Sequence, residues 1–169
     1  MKRILFTMLI LAVLLGAVGV AYADDGRQFR ARLTGAEEVP PVATDARGEA
    51  RFKANRSLTE LSYELKLEKA TDILGAAGAH IHCAPAGSNG PIVAFLSGVI
   101  NGGLDGKVEI KATLTDANIV NTACGATIAD LVESMRNGNT YVNAHSPAHP
   151  SGEIRGQIRG SGGDDGDDD

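Results

Sequence analysis

The four histidines of this chain fall into two tight groups, His80-Ile81-His82 and His145-Ser146-Pro147-Ala148-His149. Residues i and i+2 of a strand point to the same face, so His80 and His82 would present two imidazoles side by side. The second pair brackets a proline-containing turn at the end of a predicted strand. If the two strand ends meet, three or four imidazole nitrogens converge. The sequence therefore predicts a metal site formed by His80, His82, His145 and His149.

Neutral imidazole ligates zinc, copper and nickel, and an all-nitrogen site favours Cu(II) by the affinity order of divalent metals. We therefore expect copper first and zinc second. The alternative interpretation is that His80 and His82 are hydrogen-bonded structural side chains and that His149 is a turn residue. A metal must bind deprotonated imidazole, so binding should weaken as the pH falls through about 6.5.

The chain has two cysteines, Cys83 and Cys124. In an oxidising compartment we expect them to form a disulfide, which would stabilise the fold by about 3 to 4 kcal/mol for a closed loop of about 40 residues. The alternative is that Cys83, which directly follows His82, is a thiolate metal ligand.

Other polar residues give weaker signals. No serine occurs in a recognisable nucleophile turn, so nucleophilic catalysis is not predicted. Glu37 and Glu38 are adjacent and would face opposite ways in a strand, so we interpret them as solvated. Glu153 and Arg155 share a strand face and are predicted to pair with each other.

Alternating apolar and polar residues predict about eight short strands, at 29–34, 48–54, 61–68, 79–83, 92–96, 107–114, 140–145 and 152–158. One helix is predicted from Ile128 to Asn137, because Thr127 and Asp130 have the spacing of a capping box and Gly138 can end it. The pattern lacks a βαβ rhythm. It therefore predicts a mostly β fold, an antiparallel Greek-key sandwich or barrel with one short helix.

The two ends of the chain differ from its middle. Residues 1–3 are basic, residues 4–21 are almost wholly apolar, and Ala21-Tyr22-Ala23 is a small-residue cleavage site. This predicts a signal peptide at residues 1–23, the alternative being a retained membrane anchor. A short linker at residues 24–27, one domain at residues 28–160 and a disordered acidic tail at residues 161–169 would follow. We expect a secreted, periplasmic or cell-surface protein with no membrane span after signal cleavage.

Charge limits the possible partners. Removing Lys2 and Arg3 from the 16 basic residues leaves 14 against 21 acidic ones, so the mature charge is about −7 compared with the formal −5 of the whole chain. A chain this acidic is not expected to bind nucleic acid. The sequence does not predict an oligomeric state.

The segment from Thr140 to Ile158 closely resembles the closing signature of the CHRD domain, the module named after chordin. Further segments that resemble this family are 33–42, 58–67, 79–83 and 90–93. The resemblance spans about residues 28–159, essentially the whole predicted domain. It implies a protein of the exported bacterial type, but it does not by itself imply a biochemical activity.

The His-x-His strand also resembles the copper-binding strand of copper/zinc superoxide dismutase, another antiparallel Greek-key sandwich with an intrachain disulfide. By that likeness His80 and His82 would be copper ligands and His145 a third. The likeness is partial, because the zinc-ligand aspartate, the histidine-rich zinc loop and the active-site arginine of the dismutase cannot be identified here.

Three functional hypotheses follow. The first is an exported, non-catalytic metal-binding module that stores, buffers or delivers copper or zinc. The second is an adhesion or recognition module for another exported protein, by analogy with chordin, in which the histidines are structural and too far apart to chelate. The third is a dismutase-like redox enzyme, which needs an open coordination position and a substrate path.

Overall fold

The computed structural model describes residues 26–162, so the predicted signal peptide and the tail from residue 163 lie outside the described residues. The described part contains nine strands and one α-helix. In chain order these are β1 (Gln28–Thr34), β2 (Arg47–Ala54), β3 (Glu60–Ile73), β4 (Ala79–Cys83), β5 (Ile92–Ser97), β6 (Leu104–Thr115), α1 (Ile128–Arg136), β7 (Thr140–Ala144), β8 (Ile154–Gln157) and β9 (Arg159–Gly160). Short 3₁₀ turns lie at Gly35–Glu37, Asp116–Asn118 and Thr122–Cys124.

The strands form where apolar and polar residues alternate. In β3, Leu61, Leu65 and Leu67 are fully buried, while Ser62 on the opposite face is exposed. This period of two places one side of each strand against a common hydrophobic core, whose burial is the main favourable contribution to folding. The mostly β, antiparallel fold class predicted from the alternation is confirmed.

The strands pair in the order β5-β4-β7-β8-β1-β2-β3-β6, with β9 also pairing with β1. Every pairing between these strands is antiparallel, and the sheet curls into a nearly closed, barrel-like shape. In this order β4 lies beside β7, although the two are distant in sequence. The topology therefore brings both histidine groups to one region of the sheet.

Helix α1 confirms the helix prediction, ending at Arg136, one residue earlier than expected. Thr127 accepts from the Asp130 backbone N–H, and the Asp130 carboxylate accepts from the Thr127 backbone in return, which satisfies otherwise unpaired donors of the first turn. Gly138 then adopts a φ of 67°, the left-handed conformation that commonly ends a helix. Within residues 26–162 no helix is long and apolar enough to cross a bilayer.

The predicted disulfide between Cys83 and Cys124 is confirmed, with Cα atoms 5.7 Å apart. It ties the end of β4 to the 3₁₀ turn that precedes α1. Because the sulfur of Cys83 is bonded to Cys124, the alternative of a thiolate metal ligand at this position is not supported. The disulfide instead anchors the strand that carries His80 and His82.

Candidate metal centre

The side of β4, β7 and β8 that faces away from the hydrophobic core carries a cluster of polar side chains. Ala79 and Ile81 of β4 pack into the core, so His80 and His82 point to the opposite side. The register places Tyr141 beside His82 and Asn143 beside His80, and the next strand places Arg155 beside Asn143. None of these five polar side chains is more than 8% exposed. A polar face that alternation alone would leave in water is therefore buried.

A loop covers this face. Residues 84–91, here called the covering loop, connect β4 to β5 and contact His82, Tyr141 and Arg155. Gly90 donates its backbone N–H to the Tyr141 hydroxyl at 3.3 Å, and Asn89 Nδ2 donates to the Val39 carbonyl oxygen at 2.8 Å. The covering loop is thus held both by the strand below it and by residues 37–42, here called the double-proline segment because it contains Pro40 and Pro41.

Three of the four histidines converge on this polar face. One ring nitrogen from each of His80, His82 and His145 lies within 4.8 Å of the other two. His145 follows directly after β7, and its backbone N–H donates to the Gly78 carbonyl oxygen at 3.0 Å, next to the start of β4. The antiparallel pairing of β4 and β7 therefore fixes the approach of His145 to the other two rings.

Backbone carbonyl groups determine which nitrogens can ligate. His82 Nδ1 lies 2.9 Å from the Gly90 oxygen, and His145 Nδ1 lies 3.1 Å from the Pro150 oxygen. A carbonyl oxygen only accepts, so both rings carry their proton on Nδ1 and have a lone pair on Nε2. Metal-ligating histidines are oriented in this way, with the other ring N–H donated to a carbonyl or a carboxylate.

The third ring completes the pattern. His80 Nδ1 lies 3.1 Å from His145 Nε2 and donates to its lone pair, which leaves the His80 lone pair on Nε2. Nε2 of both His80 and His82 is buried and has no hydrogen-bond partner among the described residues. A buried polar atom without a partner costs about 1 to 3 kcal/mol, and a bound cation would satisfy both. The three rings therefore fit a metal ion.

Burial keeps these imidazoles neutral. It lowers the pKa of His80 from 6.5 to about 4, with smaller contributions from the neighbouring His145 and His82. Burial also lowers the pKa of His82 and that of His145. Because neutral imidazole is the ligating form, protons should compete with a metal at a lower pH than the value near 6.5 expected for exposed histidines.

His149 lies apart from the three converging rings. It is half-buried in the turn after His145, where its backbone N–H donates to the Ser146 carbonyl oxygen at 3.0 Å. It is not a member of the group whose nitrogens come within 4.8 Å of one another. A ligand role for His149 stays a prediction, and the structure itself assembles His80, His82 and His145.

The family model of the CHRD domain matches residues 29–158. The chain belongs to the CHRD-domain family. No curated protein and no solved structure matches the chain significantly. The CHRD resemblance seen in the sequence is thus confirmed, whereas the partial likeness to copper/zinc superoxide dismutase has no support from these comparisons.

Sequence reasoning missed the aromatic and cationic neighbours of the histidines in this CHRD domain. The ring of Tyr141 stacks on that of His82, with centroids 4.7 Å apart and planes inclined by 11°. The guanidinium carbon of Arg155 lies 3.4 Å from the centroid of the same Tyr141 ring. Arg155 also donates to the Ser88 oxygen at 2.7 Å and to Asn89 Oδ1 at 3.1 Å, both in the covering loop. Arg155 therefore links the covering loop to Tyr141, the ring on which His82 stacks.

The interpretation of Glu38 as solvated is wrong. This carboxyl group is 6% exposed, and burial raises its pKa from 4.5 to about 7, although the nearby charge of Arg155 partly opposes the shift. Gly152, at a φ of 137°, packs so closely against this side chain that a Cβ there would clash with Glu38 Oε1. The double-proline segment is thus folded over the domain and carries Glu38 inward with it.

The predicted pairing of Glu153 with Arg155 is also not found. Glu153 Oε1 instead accepts from the Thr44 hydroxyl at 2.8 Å. Arg155 directs its hydrogen bonds to the covering loop. Alternation correctly predicted that His80 and His82 point to the same side of their strand. It does not predict which other segment of the chain packs on that side and supplies the hydrogen-bond partners.

Proposed function

We propose that this CHRD domain is an exported metal-binding module that holds copper, with zinc as second choice, and does not catalyse a reaction. The observation that carries the proposal is the convergence of three buried, neutral imidazoles at His80, His82 and His145 within 4.8 Å. Two of these rings have an Nε2 atom that is buried and unpartnered among the described residues. Storage, buffering or delivery of the ion is the role that such a site supports best.

The donor set favours copper. Imidazole suits both copper and zinc, but a nitrogen-rich site binds Cu²⁺ more tightly by the affinity order of divalent metals. Thiolate, which would favour Cu⁺ or zinc, is withheld because both cysteines are in the disulfide. Copper is therefore the first ion to test.

The burial of the three histidines supports retention of an ion rather than catalytic turnover. His80, His82 and His145 are 1%, 8% and 5% exposed, and the covering loop contacts His82 through the Gly90 oxygen. A dismutase-like enzyme needs an open coordination position and a path for its substrate. An ion held by three buried side chains would instead exchange slowly, as suits storage or delivery.

The recognition hypothesis predicts histidines that are engaged in hydrogen bonds and too far apart to chelate. The 4.8 Å limit on the distances within the group and the unpartnered Nε2 atoms both weigh against it. The metal-binding proposal is therefore preferred, and recognition of another exported protein is the hypothesis to return to if no metal binds.

Export is part of the proposal. A disulfide between Cys83 and Cys124 is compatible with an oxidising compartment outside the cytoplasm. The apolar segment at residues 4–21 is the predicted export signal. Expression of the full chain in a bacterial host, followed by N-terminal sequencing of the protein from the periplasm or medium, should give a chain that begins at Asp24. An uncleaved chain in the membrane fraction would support the anchor alternative.

The decisive experiment measures metal content and affinity of residues 24–169, produced without an affinity tag and with the disulfide formed. We expect one Cu²⁺ per chain by titration calorimetry and elemental analysis, and loss of this binding in the His80→Ala/His82→Ala double variant. The matched control is His149→Ala, which removes a histidine outside the converging group. Absence of stoichiometric binding in the parent protein would contradict the proposal.

A further inference from the structure

Asn143 lies among the three converging histidines. Its Oδ1 is 3.0 Å from His145 Nε2. Asn143 is 3% exposed and is the direct cross-strand neighbour of His80. The carboxamide is thus a non-histidine group beside the converging rings that sequence reasoning did not consider.

The contact between Asn143 and His145 has unusual chemistry. His145 Nδ1 faces the Pro150 carbonyl oxygen and carries the ring proton, so Nε2 has a lone pair. The amide oxygen Oδ1 is also an acceptor, and it faces this lone pair at 3.0 Å. Two acceptors at that distance repel each other unless a cation lies between or beside them. The same cation would satisfy the unpartnered Nε2 atoms of His80 and His82.

We propose that Asn143 Oδ1 is a fourth ligand of the metal, which gives a donor set of three imidazole nitrogens and one amide oxygen. This inference rests on the proposed metal-binding function and adds a ligand to it. Amide oxygens are established metal ligands in proteins. No carboxylate or free thiolate among residues 26–162 joins the histidine group, so the ligand set is electrically neutral. A bound Cu²⁺ would bring its full charge into a buried site.

Because the proposed ligand set carries no charge, the effect on metal affinity of adding a negative charge to it can be predicted. Replacing the amide oxygen of Asn143 with a carboxylate of the same shape would add a negative charge beside the ion and strengthen binding. If the amide were turned by half a rotation, Nδ2 would donate to His145 Nε2, and Asn143 would only position that ring. A carboxylate cannot donate this hydrogen bond, so the same substitution would then weaken binding.

The experiment compares Cu²⁺ and Co²⁺ binding by residues 24–169 and by the variants Asn143→Asp and Asn143→Ser. The control is Asn101→Asp, which makes the same chemical change at an exposed turn position. We expect Asn143→Asp to bind Cu²⁺ at least about tenfold more tightly, and Asn143→Ser to bind about 10- to 100-fold more weakly. The visible absorption of bound Co²⁺ should change in both Asn143 variants but not in the control. Circular dichroism of the metal-free proteins checks that each variant is folded.

The outcomes separate this inference from the proposed function. If the parent protein binds no metal, the proposed function fails. If the parent binds metal and Asn143→Asp binds it equally or more weakly, the metal site stands and the ligand role of Asn143 is overturned. Tighter binding by Asn143→Asp together with an altered Co²⁺ spectrum supports the ligand role, because a residue that only positions His145 would not produce both.

Discussion

His80 Nδ1 lies 3.1 Å from His145 Nε2, although the two residues are 65 positions apart in the sequence. Their approach follows from the pairing of β4 with β7, in which Ala79 is opposite Ala144 and the next residue of the chain is His145. In the metal-free protein His80 donates its Nδ1 proton to His145. A metal ion that takes the His145 lone pair would have to replace this hydrogen bond, which links the fold of the sheet directly to the site.

Removal of His145 should abolish high-affinity metal binding as effectively as removal of His80. His145 supplies one of only three converging imidazoles, and its Nδ1 is already held by the Pro150 oxygen in the orientation of a ligand. We expect His145→Ala to lose Cu²⁺ affinity by at least about 100-fold, as measured by competition with a chromophoric chelator. His149→Ala should keep the parent affinity, and a loss there equal to that of His145→Ala would show that the turn histidine is a ligand too.

Arg155 should influence metal affinity without touching the ion. It joins the covering loop to Tyr141, and the Gly90 carbonyl of the same loop fixes the tautomer of His82. We expect Arg155→Met to loosen the covering loop in hydrogen exchange and to weaken Cu²⁺ binding about 10- to 100-fold, because partners that orient a ligating histidine have effects of this size.

The control for Arg155 is Arg56→Met, the same substitution at an exposed position in the turn between β2 and β3. It should leave both the exchange rates of the covering loop and the affinity unchanged. Weaker binding without faster exchange in the covering loop would show that Arg155 acts by another route.

The stability of the metal-free domain should fall on acidification. The pKa of His80 is lowered from 6.5 to about 4, and those of His82 and His145 are also lowered, so the unfolded chain takes up protons below about pH 6.5 that the folded domain does not. The free energy of unfolding should therefore decrease as the pH falls from about 6.5 towards 4. Urea unfolding in the presence of a chelator measures this dependence.

The buried Glu38 carboxyl group should change the free energy of unfolding with pH in the direction opposite to that of the histidines. Its pKa is raised from 4.5 to about 7, so the unfolded chain releases this proton at a pH where the folded domain still holds it. Its contribution to stability is lost as the pH rises from about 4.5 to about 7. Glu38→Gln should therefore make the acid-dependent loss of stability steeper, whereas Glu37→Gln at the exposed neighbouring position should not. An unchanged slope in Glu38→Gln would contradict the buried, protonated state of this carboxyl group.

The disulfide should stabilise both the fold and the strand that carries two of the proposed ligands. Cys83 and Cys124 are separated by 41 positions. Closing a loop of this length restricts the unfolded chain by about 4 kcal/mol on the chain-entropy scale. We expect the Cys83→Ser/Cys124→Ser double variant to lose roughly 3 to 4 kcal/mol of unfolding free energy in urea titrations. A loss below about 1 kcal/mol would show that the unfolded double variant is restricted nearly as much as the unfolded chain with the disulfide.

Much of the local structure could be predicted from the sequence, because it depends on short-range periodicity. Alternation in β3 and around His80 and His82 predicted both the strands and the shared direction of the two imidazoles, since side chains in a strand repeat every two residues. The helix followed from Thr127 and Asp130, whose backbone hydrogen bonds are local. The pairing of Cys83 with Cys124 was predicted because an oxidising compartment favours the disulfide over free thiols.

By itself, the sequence determined the mostly β class, the helix, the disulfide and the candidate donor residues. Only the tertiary structure decided that His145 comes close to His80 and His82 while His149 lies apart, that Asn143 lies among them, and that Glu38 is buried. The physical reason is that alternation determines which face a side chain takes, whereas strand order and the covering loop determine what meets that face and whether water is excluded from it. In this CHRD domain the pairing of β4 with β7 places the His145 imidazole beside that of His80, and the covering loop orients the His82 ring through the Gly90 oxygen.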